Sequence, residues 1–229
     1  MPLEDLPDPI LYLITSGATT RATTPSSEEF LAVLTLVRAA VRARLPLIQL
    51  REKNLTARVL YELAARAAAL TRGTATRLVV NDRADIARAV GADGVHLTTR
   101  SLEASIVRRA FGPNFLIGVS THTLAEARAA YEQGADFAVF GPIFDTPSKR
   151  VYGPPVGLDS LREAAEQLAP FPLVALGGVT LENAAGALGA GASGVAGIRL
   201  FADPLRLGQN VRGIMQAWSP TSRKLRPSR

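Results

Sequence analysis

The sequence contains no cysteine and few aromatic residues. Without cysteine, the chain forms no disulfide, no thiolate metal site and no cysteine nucleophile. Aromatic residues make up 6% of a chain that is 47% hydrophobic, and alanine, leucine and valine are frequent among the others. Such a composition is typical of helices that pack on aliphatic strands.

Long apolar runs are also missing from the sequence. No stretch reaches the roughly 20 apolar residues that a helix needs to span a bilayer. The first eight residues are acidic and interrupted by proline, so they lack the basic start and apolar middle of a secretory signal. We therefore expect a cytoplasmic protein that has no membrane partner.

The formal net charge of +6 is unevenly distributed along the chain. Four basic residues lie in the last seven positions, and without them the net charge is +2. We interpret residues 219–229 as a basic, flexible C-terminal tail. Because no aromatic residues alternate with these charges to stack on bases, the tail does not favour a nucleic-acid partner.

Eight short apolar strands alternate with amphipathic helices between residues 10 and 218. Continuous apolar strands covered by helices indicate a parallel sheet, and eight such units are the number that closes a barrel. We therefore predict the α/β class, with a single (β/α)8 TIM-barrel domain over residues 1–218. A doubly wound open sheet is the alternative, since alternation alone does not distinguish the two folds.

Polar side chains follow most of the predicted strands. In a barrel of this kind, ligands bind at the C-terminal ends of the strands, so these side chains are expected to meet at one rim. Their hydroxyl and cationic groups suit the oxygens of a phosphate or diphosphate. The candidates, in chain order, are Gln49, Arg51, Lys53, Asn81, Asp82, His96, Ser120, His122, Thr146, Ser148, Lys149, Gly177 and Gly178.

Several of these candidates also have a structural interpretation. Asp82 is a carboxylate that could share Mg²⁺ with phosphate oxygens, or it could cap the helix that follows. His96 alternates with apolar neighbours, which is typical of a hydrogen-bonded core histidine. The Gly177-Gly178 pair forms either a tight turn or, before a helix capped by Thr180, an anion site of backbone N–H groups.

Six linked motifs occur in this chain. They are QLREK at 49–53, NDRAD at 81–85, GADGVHL at 91–97, GVSTH at 118–122, GPIFDTPSK at 141–149 and ALGGV at 175–179. Together they are far more specific than any one of them. In their order and spacing the chain resembles the thiamine-phosphate synthase family over roughly residues 10–200.

This resemblance implies an enzyme of thiamine biosynthesis whose partners are small phosphorylated thiamine precursors. Members of the family are α/β barrels that join hydroxymethylpyrimidine diphosphate to a thiazole phosphate and release diphosphate, with Mg²⁺ present. By resemblance, Gln49 contacts the pyrimidine, Asp82 binds Mg²⁺, and the Gly177-Gly178 turn holds the thiazole phosphate. The residues implied for the diphosphate are Arg51, Lys53, Asn81, Ser120, Thr146, Ser148 and Lys149.

Two positions depart from the family pattern. Where synthases continue with Gly-Gln-x-Asp after strand four, this chain has Thr98-Thr-Arg-Ser101, so the second metal carboxylate is missing and Arg100 lies beside its place. At the end of strand eight, Arg199 replaces a small hydroxyl residue. With half the ligand charge, the site is expected to bind Mg²⁺ more weakly.

The lost carboxylate resembles the thiazole tautomerase branch of the same superfamily, in which a histidine at the position of His122 moves a proton without a metal. The Thr146–Lys149 loop keeps its synthase-like form, and this retention favours the synthase. The candidate catalytic residues are therefore His122 and Lys149. A non-catalytic regulator that binds a phosphorylated ligand is the third hypothesis, and the oligomeric state stays open, a homo-oligomer included.

Overall fold

Eight parallel strands form a closed barrel in the computed structural model, which describes residues 7–146 and 154–218. Strand β1 pairs with both β2 and β8, so the sheet has no free edge. The predicted (β/α)8 TIM barrel is confirmed, and the open-sheet alternative is wrong. The strands are β1 (Ile10–Ile14), β2 (Leu47–Leu50), β3 (Arg77–Asn81), β4 (Gly94–Leu97), β5 (Leu116–Thr121), β6 (Phe137–Phe140), β7 (Leu173–Ala175) and β8 (Gly194–Gly197).

Helices alternate with these strands around the outside of the barrel. They are α1 (Glu28–Arg42), α2 (Ala57–Thr71), α3 (Ala84–Val90), α4 (Ala104–Phe111), α5 (Leu124–Glu132), α6 (Gly157–Leu168), α7 (Ala184–Gly189) and α8 (Leu207–Ala217), with a 3-10 helix at Arg199–Phe201. In the described part of the chain, no helix has the length and apolar character that a membrane crossing requires.

Two apolar layers stabilise the barrel. Side chains that point outward from the strands pack against the helices, and side chains that point inward fill the barrel. The inward set includes Leu47 of β2, Val79 of β3 and Leu116 of β5. Since side chains alternate across a strand, residues two or four positions later also face the barrel axis. This register directs Gln49, Asn81 and Ser120 into the mouth of the barrel.

Repeated Gly-Ala-Asp turns before β4 and β6 stabilise the end of the barrel that lies opposite the mouth. The Asp93 carboxylate accepts a hydrogen bond from the N–H of Leu78 (2.8 Å), and the Asp136 carboxylate accepts one from Ile117 (2.6 Å). Burial raises the pKa of Asp136, although the Ile117 N–H and the guanidinium of Arg108 at 2.7 Å oppose the shift. These aspartates lie away from the strand tips and stabilise the fold.

Candidate active site

Gln49 and Asn81 are buried amides at the mouth of the barrel, with exposed fractions of 1% and 7%. Neither Nε2 of Gln49 nor Oδ1 of Asn81 has a hydrogen-bond partner among the described residues. A buried polar atom without a partner costs about 1–3 kcal/mol, so folded proteins rarely keep two of them close to one opening. Both atoms are therefore suited to bind a polar ligand that enters the mouth of the barrel.

His96 of β4 is a buried histidine with both ring nitrogens in hydrogen bonds. Its Nδ1 lies 3.2 Å from the hydroxyl of Tyr12, and its Nε2 lies 2.9 Å from Oγ of Ser120. Burial lowers the pKa of His96 to about 3; the nearby Asp82 opposes this shift and Arg51 adds to it. The ring is neutral at pH 7, and the prediction of a hydrogen-bonded core histidine is confirmed.

The backbone of Asp82, the residue after β3, is left-handed, with φ of 59°. Its carboxylate accepts hydrogen bonds from Nδ2 of Asn81 (2.6 Å), from the Thr98 hydroxyl (3.2 Å) and from the Ser101 hydroxyl. Arg83 occupies the N-cap position of α3. The capping interpretation of Asp82 is therefore wrong, because the carboxylate points to the β4–α4 loop and not to the N–H groups of the helix.

Ser101 occupies the position at which the family resemblance implies a second carboxylate for the metal. The side chains around Asp82 thus offer one carboxylate and two hydroxyls, all hard oxygen ligands that Mg²⁺ accepts. In residues 7–146 and 154–218, no group of three histidine, cysteine, aspartate or glutamate side chains could hold a metal ion. This donor set suits a cation that is shared with phosphate oxygens and does not suit one that the protein holds alone.

Arg51 directly follows β2, and its backbone contacts the β1–α1 loop. Its backbone N–H donates to Oγ1 of Thr15 (2.8 Å), and its side chain is half-buried. Lys53 is exposed, whereas Glu52 between these two cations is only 2% exposed. Sequence reasoning missed Glu52, because an acid between two basic residues is typical of a solvated loop.

His122 lies just past β5 and is exposed. Its Nδ1–H donates to the carbonyl of Gly141 at the end of β6, and its backbone N–H donates to the Glu126 carboxylate (2.6 Å). The Gly141 bond determines the ring orientation and makes Nε2 the atom that carries the lone pair of the neutral imidazole. The catalytic role of His122 stays a prediction.

The Gly177-Gly178 pair forms the turn after β7, with φ values of 97° and 63°. A Cβ on Gly178 would lie 2.6 Å from the carbonyl oxygen of Asp145, and the N–H of Phe144 donates to Gly177 (3.0 Å). The pair forms a tight turn, and its role as an anion site stays a prediction. The predicted cap by Thr180 is wrong, because α7 begins only at Ala184.

These contacts bring the glycine turn next to the segment that ends at Thr146. Thr146 is half-buried at the limit of the described residues, while Ser148 and Lys149 lie outside them. The remaining candidates lie in the strand ends or directly after them, at one end of the barrel. Hydroxyl, amide and guanidinium groups of the described residues therefore lie at one end of the barrel, and donors of this kind suit the oxygens of a phosphorylated ligand.

A family model described as thiamine monophosphate synthase matches residues 11–201, a range that contains every candidate residue of the rim. The chain belongs to the thiamine monophosphate synthase family. The matched range also extends over all strands except the first residue of β1.

Curated relatives and solved structures agree with membership of the thiamine monophosphate synthase family. A thiamine-phosphate synthase of Moorella thermoacetica is 46% identical over 71% of this chain and 77% of its own length. One from Chlorobium phaeovibrioides is 44% identical over 74% of this chain and 81% of its own. A thiamine phosphate pyrophosphorylase structure from Pyrococcus furiosus superimposes with a TM-score of 0.77 at 30% identity, covering 92% of this chain and 98% of that one.

Proposed function

We propose that this member of the family is a thiamine-phosphate synthase, a transferase that couples hydroxymethylpyrimidine diphosphate with thiazole phosphate. The bond between the pyrimidine methylene carbon and the diphosphate oxygen breaks, and diphosphate leaves with the electron pair. The thiazole nitrogen then bonds to the methylene carbon, which gives thiamine phosphate. The observation that carries this proposal is the pair of buried amides, Gln49 and Asn81, each of which has one polar atom without a partner among the described residues, at a mouth that also holds Arg51 and Ser120.

Such a displacement needs the leaving diphosphate to be neutralised more than it needs an acid or a base. We assign this task to Arg51, Ser120 and the second Nδ2 hydrogen of Asn81, together with Lys53 and the Thr146–Lys149 segment, which includes Ser148. Gln49, deeper in the mouth, is assigned to the pyrimidine, and the Gly177-Gly178 turn to the thiazole phosphate.

A chain of hydrogen bonds from Tyr12 through His96 supports the assignment of Ser120 as a donor. Burial raises the pKa of the Tyr12 hydroxyl well above its usual value, so this group keeps its proton. When Tyr12 donates to Nδ1 of neutral His96, the Nε2–H of His96 donates to Oγ of Ser120. The Ser120 proton is then left to donate to a diphosphate oxygen.

Asp82, with the hydroxyls of Thr98 and Ser101 beside it, would hold Mg²⁺ jointly with the substrate. When bound, the ion would supply positive charge to the diphosphate as negative charge develops on it. Because this chain provides one carboxylate where the family has two, we propose that its Mg²⁺ affinity is lower.

The direct test mixes the purified protein with both precursors, with and without Mg²⁺, and measures thiamine phosphate by chromatography. The proposal predicts product that appears with both substrates present and increases with Mg²⁺. Tight binding of the phosphorylated precursors without turnover would support the non-catalytic regulator in its place.

A thiazole tautomerase is the second candidate, because Ser101 replaces the metal carboxylate and the His122 ring is held by Gly141 with Nε2 available. In that reaction Nε2 would move a proton on the ring of the thiazole carboxylate phosphate. Isomerisation that is lost in His122→Ala, together with the absence of thiamine phosphate, would support the tautomerase and overturn the synthase.

A further inference from the structure

The carboxylate of Glu52 is buried beneath the β1–α1 loop and accepts three hydrogen bonds from that loop. One oxygen accepts the N–H of Gly17 (3.2 Å), and the other accepts the N–H (3.3 Å) and the hydroxyl (2.7 Å) of Thr19. Hydrogen bonds to an ionised acceptor are about twice as strong as those between neutral groups. Glu52 therefore fastens the loop more firmly than a neutral side chain would.

The β1–α1 loop, which Glu52 holds in place, packs against Arg51. A Cβ built on Gly17 would lie 3.1 Å from the Arg51 carbonyl oxygen and 3.6 Å from its Nη1. Asn54 holds the same loop through a bond from its Nδ2 to the carbonyl of Thr19 (3.3 Å). Thr15, at the start of the loop, accepts the N–H of Arg51 (2.8 Å).

An arginine side chain in water samples many rotamers, and ordering it costs roughly 1.5–2 kcal/mol. If the β1–α1 loop already orders the Arg51 side chain before the ligand binds, less side-chain entropy is lost on binding. Since Gly17 has no side chain, its backbone can lie directly against the guanidinium of Arg51. The position of Gly17, in turn, depends on its bond to Glu52.

We propose that Glu52 is a positioning residue for diphosphate binding: it fixes the β1–α1 loop so that Gly17 orders the guanidinium of Arg51. Glu52 does not itself touch the ligand, because its two oxygens point into the loop. The inference rests on the proposed function in one respect, namely that Arg51 binds diphosphate.

The test is a double-mutant cycle on inorganic diphosphate binding, measured by calorimetry with the full chain. Glu52→Gln keeps the size of the side chain but replaces an acceptor oxygen by an NH₂ group that faces donors. We expect it to weaken diphosphate binding about tenfold, and Arg51→Ala to weaken binding more. In the double variant, Glu52→Gln should add no further loss. A tenfold loss that persists in the Arg51→Ala background would overturn the proposal.

Two further variants separate positioning from general damage. Glu62→Gln removes the same charge from a partly exposed site on α2, where Glu62 pairs with Arg66, and should leave the diphosphate affinity unchanged. Thr19→Val deletes one bond to Glu52 and should weaken binding in the same direction by a smaller factor. Trypsin cleavage after the exposed Arg21 should be faster in Glu52→Gln, and an unchanged cleavage rate would contradict the role of Glu52 in holding the loop.

The binding assay needs no turnover, so it distinguishes this inference from the proposed function. If the wild-type protein binds diphosphate through Arg51 but makes no thiamine phosphate, the synthase proposal fails and the role of Glu52 stands. If wild-type binding does not depend on Arg51, the role of Glu52 is overturned whatever the enzyme makes.

Discussion

His96 has a protonation state that depends on its burial between Tyr12 and Ser120. In the unfolded chain its pKa is near the ordinary 6.5, and in the folded protein it is about 3. Between these values the unfolded state binds a proton that the folded state does not, so the free energy of unfolding decreases as the pH falls from 6.5 towards 3. Each pH unit in this window removes up to about 1.4 kcal/mol.

We predict that urea unfolding of the wild-type protein shows about 2 kcal/mol less stability at pH 5 than at pH 7 from this residue alone. In His96→Gln, this part of the pH dependence should disappear, whereas His122→Gln should retain it. An equal pH dependence in the wild-type protein and His96→Gln would mean that burial does not lower the pKa of His96, and it would contradict the prediction.

The absence of a second carboxylate at Ser101 can be tested with a single substitution. Ser101→Asp restores a second carboxylate beside Asp82, and we expect it to lower the Mg²⁺ concentration for half-maximal activity about tenfold. Without Mg²⁺ the two carboxylates repel, so the variant should melt at a lower temperature and recover when Mg²⁺ is added. Ser160→Asp on the exposed start of α6 serves as the control and should change neither quantity.

Sequence position alone could predict which residues reach the rim, because Gln49, Asn81 and Ser120 follow inward-facing residues at the ends of apolar strands. It could not predict their partners. Tyr12 looks like ordinary apolar core within β1, yet its hydroxyl contacts His96 across the barrel. Glu52 looks solvated, and only the fold of the β1–α1 loop buries it.

Strand β5 shows how the packing of whole elements supports the site. It lies between β4, which carries His96, and β6, which carries Phe137, and both rings lean over Gly118. A Cβ at Gly118 would lie 2.7 Å from Nδ1 of His96 and 2.8 Å from Cε1 of Phe137. The rings cannot keep their present positions if this residue has a side chain.

We predict that Gly118→Ala lowers the free energy of unfolding by about 1–3 kcal/mol, as overpacked cores do, and also lowers activity by displacing His96 from Ser120. The matched control is Gly189→Ala at the end of α7, where an added Cβ meets nothing within 4 Å. Chemical denaturation compares the two variants. A Gly118→Ala protein as stable as the control would contradict this packing argument.

The strands of this protein are easier to recognise in the sequence than the starts of its helices, and hydrogen bonding explains the difference. Apolar runs mark the strands because both faces of the sheet are buried. Helix starts depend on where hydroxyl and amide groups bond: the Ser27 hydroxyl accepts from Thr24 instead of capping α1, and Asn183 closes the turn before α7 by accepting from Thr180. The local sequence does not show which of these hydrogen bonds forms, so it does not fix where the helix begins.

At the scale of the whole molecule, the eight strands and their helices are complete by Ala217. We propose that residues 219–229 are a separate basic tail, and that a chain ending at Trp218 keeps a melting temperature within about 2 °C of the full chain. The truncation reduces the net charge from +6 to +2, so binding to heparin should weaken at low salt. A large drop in melting temperature would show that the tail is part of the folded domain.

The central claim concerns the whole rim: residues from separate strand ends act together to neutralise a leaving diphosphate. The measurement that tests it most directly compares kcat/KM for thiamine phosphate formation in Arg51→Ala and His122→Ala. We predict a loss of about 100-fold or more in Arg51→Ala, which removes charge from the leaving group, and less than about tenfold in His122→Ala. A His122→Ala protein that loses all activity while Arg51→Ala stays active would contradict the account.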